Sequence, residues 1–282
     1  MNKIFLLRMI GVLASGFVLG ACTDQSDTNG SSGSGQGQAG SLATMTILQN
    51  ELHILHDNKI SSFDITSDEL SPAEIGESQL SSGTAETLFS FGSEHVFVGT
   101  TNGVIIQQHK GIESSDSSRF THVNTVTHIT ARDPVVAKDN YAFFTTRDGN
   151  EDLASEADVV GLIDIEDMEN ATVIFRFADL KEPIGLGWWK EALYVCDAND
   201  GLTKFTLEEV NLADTNQLDR NGVPILTDQL GPGLVRQELR DFYPCSDVVA
   251  TKEILILTSS EGINQLRMTD GTLEVISSIN QQ

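Results

Sequence analysis

Positive charge is scarce in this chain. Its 282 residues hold 17 Lys and Arg against 41 Asp and Glu, a formal net charge of −24 at pH 7. Such a surface repels phosphate backbones, which argues against nucleic acid as a partner, and anionic lipid headgroups repel it as well. Cations, cationic peptides and neutral ligands remain compatible with it. Cysteine is almost absent, with residues at positions 22, 196 and 245 alone. None of the six histidines is a close sequence neighbour of Cys196 or Cys245, so a Cys/His nucleophilic pair has no local support. G-x-S-x-G, P-loop and H-E-x-x-H motifs are missing. No stretch after the N-terminal one is apolar and long enough to suggest a membrane span.

What is present begins with that N-terminus. Lys3 and Arg8 precede a short apolar run, residues 9–19, and then Leu19-Gly20-Ala21-Cys22. A basic start, an apolar centre and small residues at a cleavage site read as a secretory signal over residues 1–21. Leu-Gly-Ala-Cys resembles the lipobox of bacterial lipoproteins. The resemblance implies cleavage before Cys22 and acylation of its thiol, with the more than one acyl chain that stable anchoring needs. Thr23, rather than Asp, follows the cysteine, which points to sorting to the outer membrane of the cell envelope. Residues 23–40 contain no aromatic and no aliphatic larger than Ala. Such a segment cannot bury enough surface to order itself, so residues 22–41 are expected to form a Gly/Ser tether reaching about 20–25 Å. Residues 42–282 remain for one domain, a normal length for a closed all-β fold.

Within that domain residues 133–177 set the pattern. Apolar runs at 141–146, 159–165 and 172–177, with a shorter one at 134–137, are separated by turn-formers at 138–140, 147–150 and 166–171. Runs of this length rich in β-branched and aromatic residues read as four antiparallel strands in about 45 residues. The second strand recurs with starts at Glu51, Glu94, Asn140, Glu191 and Glu253. Four copies lead to a glycine: Gly103, Gly149, Gly201 and Gly262. Periods of roughly 40–50 residues are those of propeller blades. The expected fold is therefore all-β, a five-bladed β-propeller of four-stranded antiparallel blades. Two longer gaps are read as insertions, at 151–157 in blade 3 and at 211–233 in blade 4, whose fourth strand is then expected over 234–242. Asp133-Pro134, Glu182-Pro183 and Tyr243-Pro244 open first strands, where a missing N–H is tolerated.

Asp133-Pro-Val-Val, Asn140-Tyr-Ala and Val159–Ile165 (VVGLIDI) together resemble the LVIVD repeat of bacterial surface lipoproteins. Residues 183–205 and Tyr243-Pro-Cys-Ser-Asp-Val resemble successive units of the same family. The resemblance implies a β-propeller and export, and no particular reaction. Trp188-Trp189, where the family has a polar hairpin turn, and Arg267-Met268, where it has an aspartate, depart from it.

In a blade the loops from strand two to three, and from strand four to the next blade, share one face. That face is expected to gather Asp133, Arg147, Glu182, Asp197 and Asp247 as ligand-binding candidates, with a solvated acidic face as the alternative. Cys196 and Cys245 fall there on neighbouring blades, and either a disulfide or two buried thiols suits them. Asp148, Asp152, Glu156 and Asp158 form the densest acidic loop, and residues 214–222 a second; hard oxygen ligands suit calcium, yet neither loop has EF-hand spacing. No other cofactor is implied. Trp188 and Trp189 on the opposite face could stack on a sugar or fill the space between blades. His53 and His56, three apart on a strand, point to opposite sides, and no metal constellation emerges from the six histidines.

Two functions follow as expectations. The first is a non-enzymatic binding or scaffold lipoprotein for an envelope protein or glycan, with a monomeric domain held to the bilayer by Cys22. The second is a calcium-dependent hydrolase, lactonase-like, with its site at the channel mouth; that reading is fold-level analogy.

Overall fold

The computed structural model describes residues 42–66, 72–112, 114–127, 134–147, 158–178, 180–214 and 216–280. Its strands group into five antiparallel sheets arranged as a β-propeller. Blade 1 is β1 (Met45–Leu48), β2 (Glu51–His56), β3 (Lys59–Asp64) and β4 (Ala73–Gln79). Blade 2 is β5 (Ala85–Phe91), β6 (His95–Thr100), β7 (Gly103–His109) and β8 (Phe120–Thr127). Blade 3 is β9 (Val135–Lys138), β10 (Tyr141–Thr146), β11 (Val159–Asp164) and β12 (Thr172–Phe177), extended by β16 (Gln217–Leu218). Blade 4 is β13 (Pro183–Trp189), β14 (Ala192–Asp197), β15 (Gly201–Asn211) and β17 (Leu230–Gln237). Blade 5 is β18 (Asp247–Ala250), β19 (Ile254–Ser259), β20 (Gly262–Thr269) and β21 (Thr272–Asn280).

The second and third strands of the middle blades are buried on both faces, so their sequences run apolar without alternating: Phe143, Phe144, Leu162 and Ile163 are all fully buried. The innermost strands stand side by side around the ring, β1 by β5, β5 by β9, β9 by β13 and β13 by β18. Three apolar cores fill the spaces between them. One joins blades 1 and 2, one joins blades 2, 3 and 4, and one joins blades 4 and 5.

The recurring glycines have a backbone reason. Gly262 (φ 137) and Gly103 (φ 146) open third strands in a conformation L-residues rarely adopt, and a Cβ there would strike the carbonyl oxygens of Ile279 and Val126 on the adjacent fourth strand. Gly262→Ala is expected to cost roughly 1–3 kcal/mol, seen as a lower urea midpoint with an unchanged slope.

Two expectations are corrected. The fourth strand of blade 4 is Leu230–Gln237, not 234–242. Pro232, flanked by Gly231 and Gly233, sits inside it, which an outer edge strand allows because that N–H need not join a ladder. The blade 4 insertion is not a plain loop either. After a 3-10 turn at Leu212–Asp214 it supplies β16, which pairs with β12 and covers the outer edge of blade 3.

Candidate functional site

The two ends of the blades carry different chemistry. The turns between strands two and three, and the links between blades, lie at one end. There Cys196, the fifth residue of β14, is bonded to Cys245 in the link to blade 5, with Cα atoms 5.4 Å apart. Arg147 Nη1 lies 4.0 Å from Glu182 Oε1, and Asn199 donates to Glu182 Oε2 at 3.3 Å. Asp197, fully buried, accepts four backbone N–H groups, from Lys181, Glu182, Asn199 and Asp200, at 2.7–3.1 Å. The structure thus gathers Arg147, Glu182 and Asp197 at the rim between blades 3 and 4. Asp197 there shapes two loops, its carboxylate oxygens taken up by backbone N–H groups. Asp247 lies near Gly185 on the blade 4 side, and neither it nor Asp158 is free of partners. Asp133, Asp148, Asp152, Glu156 and the lipidation candidate Cys22 lie outside the described residues. In the second acidic loop, Asp219 accepts the N–H groups of Asn221 and Val223 at 2.8 and 2.9 Å, which makes it a turn-former.

The tryptophans are not in the hairpin turn. They end β13, and the turn is Lys190 (φ 46) and Glu191 (φ 63). Trp188 stacks on Phe143 of blade 3 with ring centroids 5.3 Å apart. Trp189 is buried toward blade 5, its Nε1–H donating to Thr251 O at 2.8 Å. Alternation along the strand sends one ring to each neighbouring blade, so the pair packs the ring together and does not present a sugar platform.

At the opposite end, between blades 1 and 2, lies a cluster that the sequence reading missed. Glu51 opens β2, His53 is two residues on, His109 ends β7, and Arg119 stands just before β8. All four are buried. Arg119 donates through Nε to Glu51 Oε2 at 3.1 Å and through Nη2 to Glu51 Oε1. Its remaining contacts clamp the 110–119 loop: Nη2 to Gly111 O at 3.0 Å and Nη1 to Ser114 O. The Gly111 N–H donates to His109 Nδ1 at 3.0 Å, so the ring proton sits on Nε2, which donates to Glu51 Oε2 at 2.9 Å. Burial alone would raise the Glu51 carboxyl; hydrogen bonds from Arg119 and His109, with the Arg119 charge, outweigh it and hold the group below its ordinary value.

Glu51, His53 and His109 bring three ligand atoms within 4.8 Å of one another. The donor set still does not suit a metal ion. Arg119 covers both carboxylate oxygens, and His109 presents a proton where a ligand needs a lone pair. The cluster is an ion triad that braces a loop.

His53 stands apart within it. Its Nδ1 bonds Ser62 Oγ at 2.8 Å, while its Nε2 is buried without a hydrogen-bond partner. Burial first, and the facing His109 second, lower its pKa to about 4, against the pull of Glu51. A native pKa below the unfolded value of about 6.5 makes a contribution that is complete above pH 6.5 and lost as pH falls toward 4. The protein is therefore expected to lose on the order of 3 kcal/mol across that window from this group. Denaturant midpoints measured at pH 7 and pH 4.5 check it, and His53→Gln should flatten the profile.

Beside the triad opens a cleft of about 410 Å³. The β1–β2 turn (Gln49, Asn50), the end of β3 (Asp64, Thr66) and the 110–119 loop (Ile112, Ser114, Ser115) line it, with Glu51 and Arg119 at its side. The loop is held in place by Lys110 Nζ to Asp116 at 3.0 Å and by Glu77 N–H to Ser117 O at 2.7 Å.

No family model matches the chain, and no curated protein matches it. Among solved structures the fold is similar to a protein of Bacteroides uniformis described as a “putative 6-phosphogluconolactonase” (12% identity, TM-score 0.52, 84% of this chain and 70% of that one). It is also similar to a functionally unknown protein of Desulfotomaculum acetoxidans (10%, 0.54, 84% and 69%). A Bacteroides fragilis protein with the same lactonase description is comparable (11%, 0.50, 84% and 69%). Identities this low establish the fold alone.

Proposed function

We propose that the chain is a non-enzymatic binding propeller of the LVIVD type, anchored to the outer membrane of the bacterial cell envelope through acylated Cys22, and that the cleft between blades 1 and 2 takes a neutral, hydroxyl-rich ligand such as a glycan. The observation that carries this reading is the lining of the cleft. It offers amides, hydroxyls and carboxylates beside the apolar side chains of Ile75 and Ile112, and its one cation, Arg119, is already neutralised by Glu51 and held by two carbonyls. An anionic substrate such as a phosphorylated lactone would meet Glu51 and Asp64 with no cation left to receive it. The volume falls within the roughly 300–1,000 Å³ of ordinary ligand sites, and the clamped loop provides a preformed wall.

Titration calorimetry of the full-length protein in detergent against neutral oligosaccharides tests the reading. Binding is expected, and Gln49→Ala or Asp64→Ala should weaken it about five- to tenfold, one or two hydrogen bonds each. Saturable hydrolysis of a phosphorylated lactone, lost in the same variants, would instead establish the enzyme reading.

A further inference from the structure

The faces between neighbouring blades repeat, and the repeat breaks at one place. In blade 4 the side turned toward blade 3 carries Leu186, Trp188, Leu193, Val195 and Phe205. Register ties them together: Leu186 pairs with Val195, Trp188 with Leu193, and Leu193 with Phe205. Leu186, Leu193, Val195 and Phe205 are fully buried in the shared core. Blade 1 repeats the arrangement with Met45, Ile47, Leu52, Ile54 and Phe63, where Met45 pairs with Ile54, Ile47 with Leu52, and Leu52 with Phe63. The other side of β1 faces blade 2, since Leu48 joins that core and Thr46 Oγ1 donates to Ser90 Oγ. The five apolar residues therefore point away from every core, with Met45 and Ile47 54% and 51% exposed.

Blade 5 leaves the matching half uncovered. Val248, Leu255 and Leu257 face blade 4. The alternate residues Val249, Ile254 and Ile256 point outward, together with Ile263, which is 38% exposed. Among the described residues no apolar core joins blade 5 to blade 1.

We infer that these two faces form an interface between copies of this chain, blade 5 of one copy seating on blade 1 of another. Charge supports a second copy as the occupant. On the blade 1 face Lys59 is bonded to Glu77 at 2.9 Å, with Glu74 on the same outer strand, and the blade 5 face has Arg267 opposite Glu274, so each face is nearly neutral. In a chain of net charge −24, those are the surfaces that like-charged copies can bring together. The tether is a poor alternative cover, because residues 23–40 hold no aliphatic larger than Ala. The contact is head-to-tail, each copy offering both halves. It also departs from the monomeric domain expected from the sequence. Within one chain Trp188 lies on Phe143, and Ile47 and Ile256 occupy the equivalent strand positions, so Ile47 of one copy should lie on Ile256 of the next.

The test uses two differently tagged full-length chains co-expressed in a bacterial envelope, one with Ile47→Cys and the other with Ile256→Cys. Mild oxidation is expected to give a covalent heterodimer, and pairing Ile47→Cys with Leu226→Cys, which is exposed elsewhere, should not. With both substitutions in one chain, a bond within that chain and no dimer would mean that the ring closes on itself, and would overturn the proposal. So would a purified protein that sediments as a monomer at about 10 μM. Ile47→Glu should weaken self-association about tenfold or more without lowering the thermal midpoint, and higher salt should strengthen association by screening. A collapse of the midpoint in Ile47→Glu would place that residue in the fold and count against the interface.

Discussion

Alanine at position 51 is expected to lower the thermal midpoint by roughly 10 °C. The glutamate is a single buried anion that holds the Arg119 guanidinium and accepts the His109 Nε2–H. Truncating it leaves a buried cation and a buried N–H unpaired, which costs about 3–5 kcal/mol when a buried pair is broken from one side. Arg119→Met should cost a comparable amount, because it leaves Glu51 a buried anion with His109 as its one remaining side-chain partner in the cluster. The double variant Glu51→Leu with Arg119→Met should recover much of the stability, because an apolar replacement of both partners avoids desolvation altogether. Calorimetry on the three variants decides it: a double variant less stable than either single one would contradict a triad whose members matter through one another. Acid should mimic Glu51→Ala. Since the native carboxyl titrates below its unfolded value, its contribution is complete above pH of about 4.3 and fades as pH drops through the lowered native value.

Reduction of the Cys196–Cys245 bond should produce the second large effect. The bond spans 49 residues and joins the end of β14 in blade 4 to the entry of blade 5. Loop-closure entropy assigns it about 4 kcal/mol, on a model in which the bond restricts the unfolded chain. Both half-cystines are buried in the core that blades 4 and 5 share, so Cys196→Ala with Cys245→Ala should expose that core first. Denaturant unfolding with and without a thiol reductant measures the loss, and proteolysis mapped by mass spectrometry should show early cuts near residues 251–261, not in blades 2 and 3. A reduced protein with an unchanged midpoint would show that the unfolded chain is already compact there.

The second strands were legible because both of their faces are buried, which makes an uninterrupted apolar run, as in Glu191-Ala-Leu-Tyr-Val-Cys196 and Asn140-Tyr-Ala-Phe-Phe-Thr145. The outer strands were less so. Leu230–Gln237 begins with a Gly-Pro-Gly stretch that local rules assign to a loop, and only its position at a sheet edge permits a strand. The buried triad was illegible for a different reason. Strand alternation correctly separated His53, buried, from His56, exposed, but the partners of Glu51 lie 58 and 68 residues away on the next blade. One local signal was available: Glu51 and His53 occupy the same side of β2 as Leu55, which joins the core, so two titratable groups were being directed inward. The disulfide could not be decided from spacing because the choice turns on a Cα separation, which only the placement of two blades supplies.

The short strand β16 gives blade 3 a member that arrives late. A polypeptide is synthesised from its N-terminus, and residues 217–218 follow the last residue of β12 by about 40 positions, or roughly 130 Å of extended chain. Until they emerge, the backbone groups of Arg176 and Phe177 that they will pair have only solvent or a chaperone to meet. Completion of the third sheet is thereby tied to synthesis of the fourth, and a stalled nascent chain would offer proteases an unfinished rim at the middle of the ring.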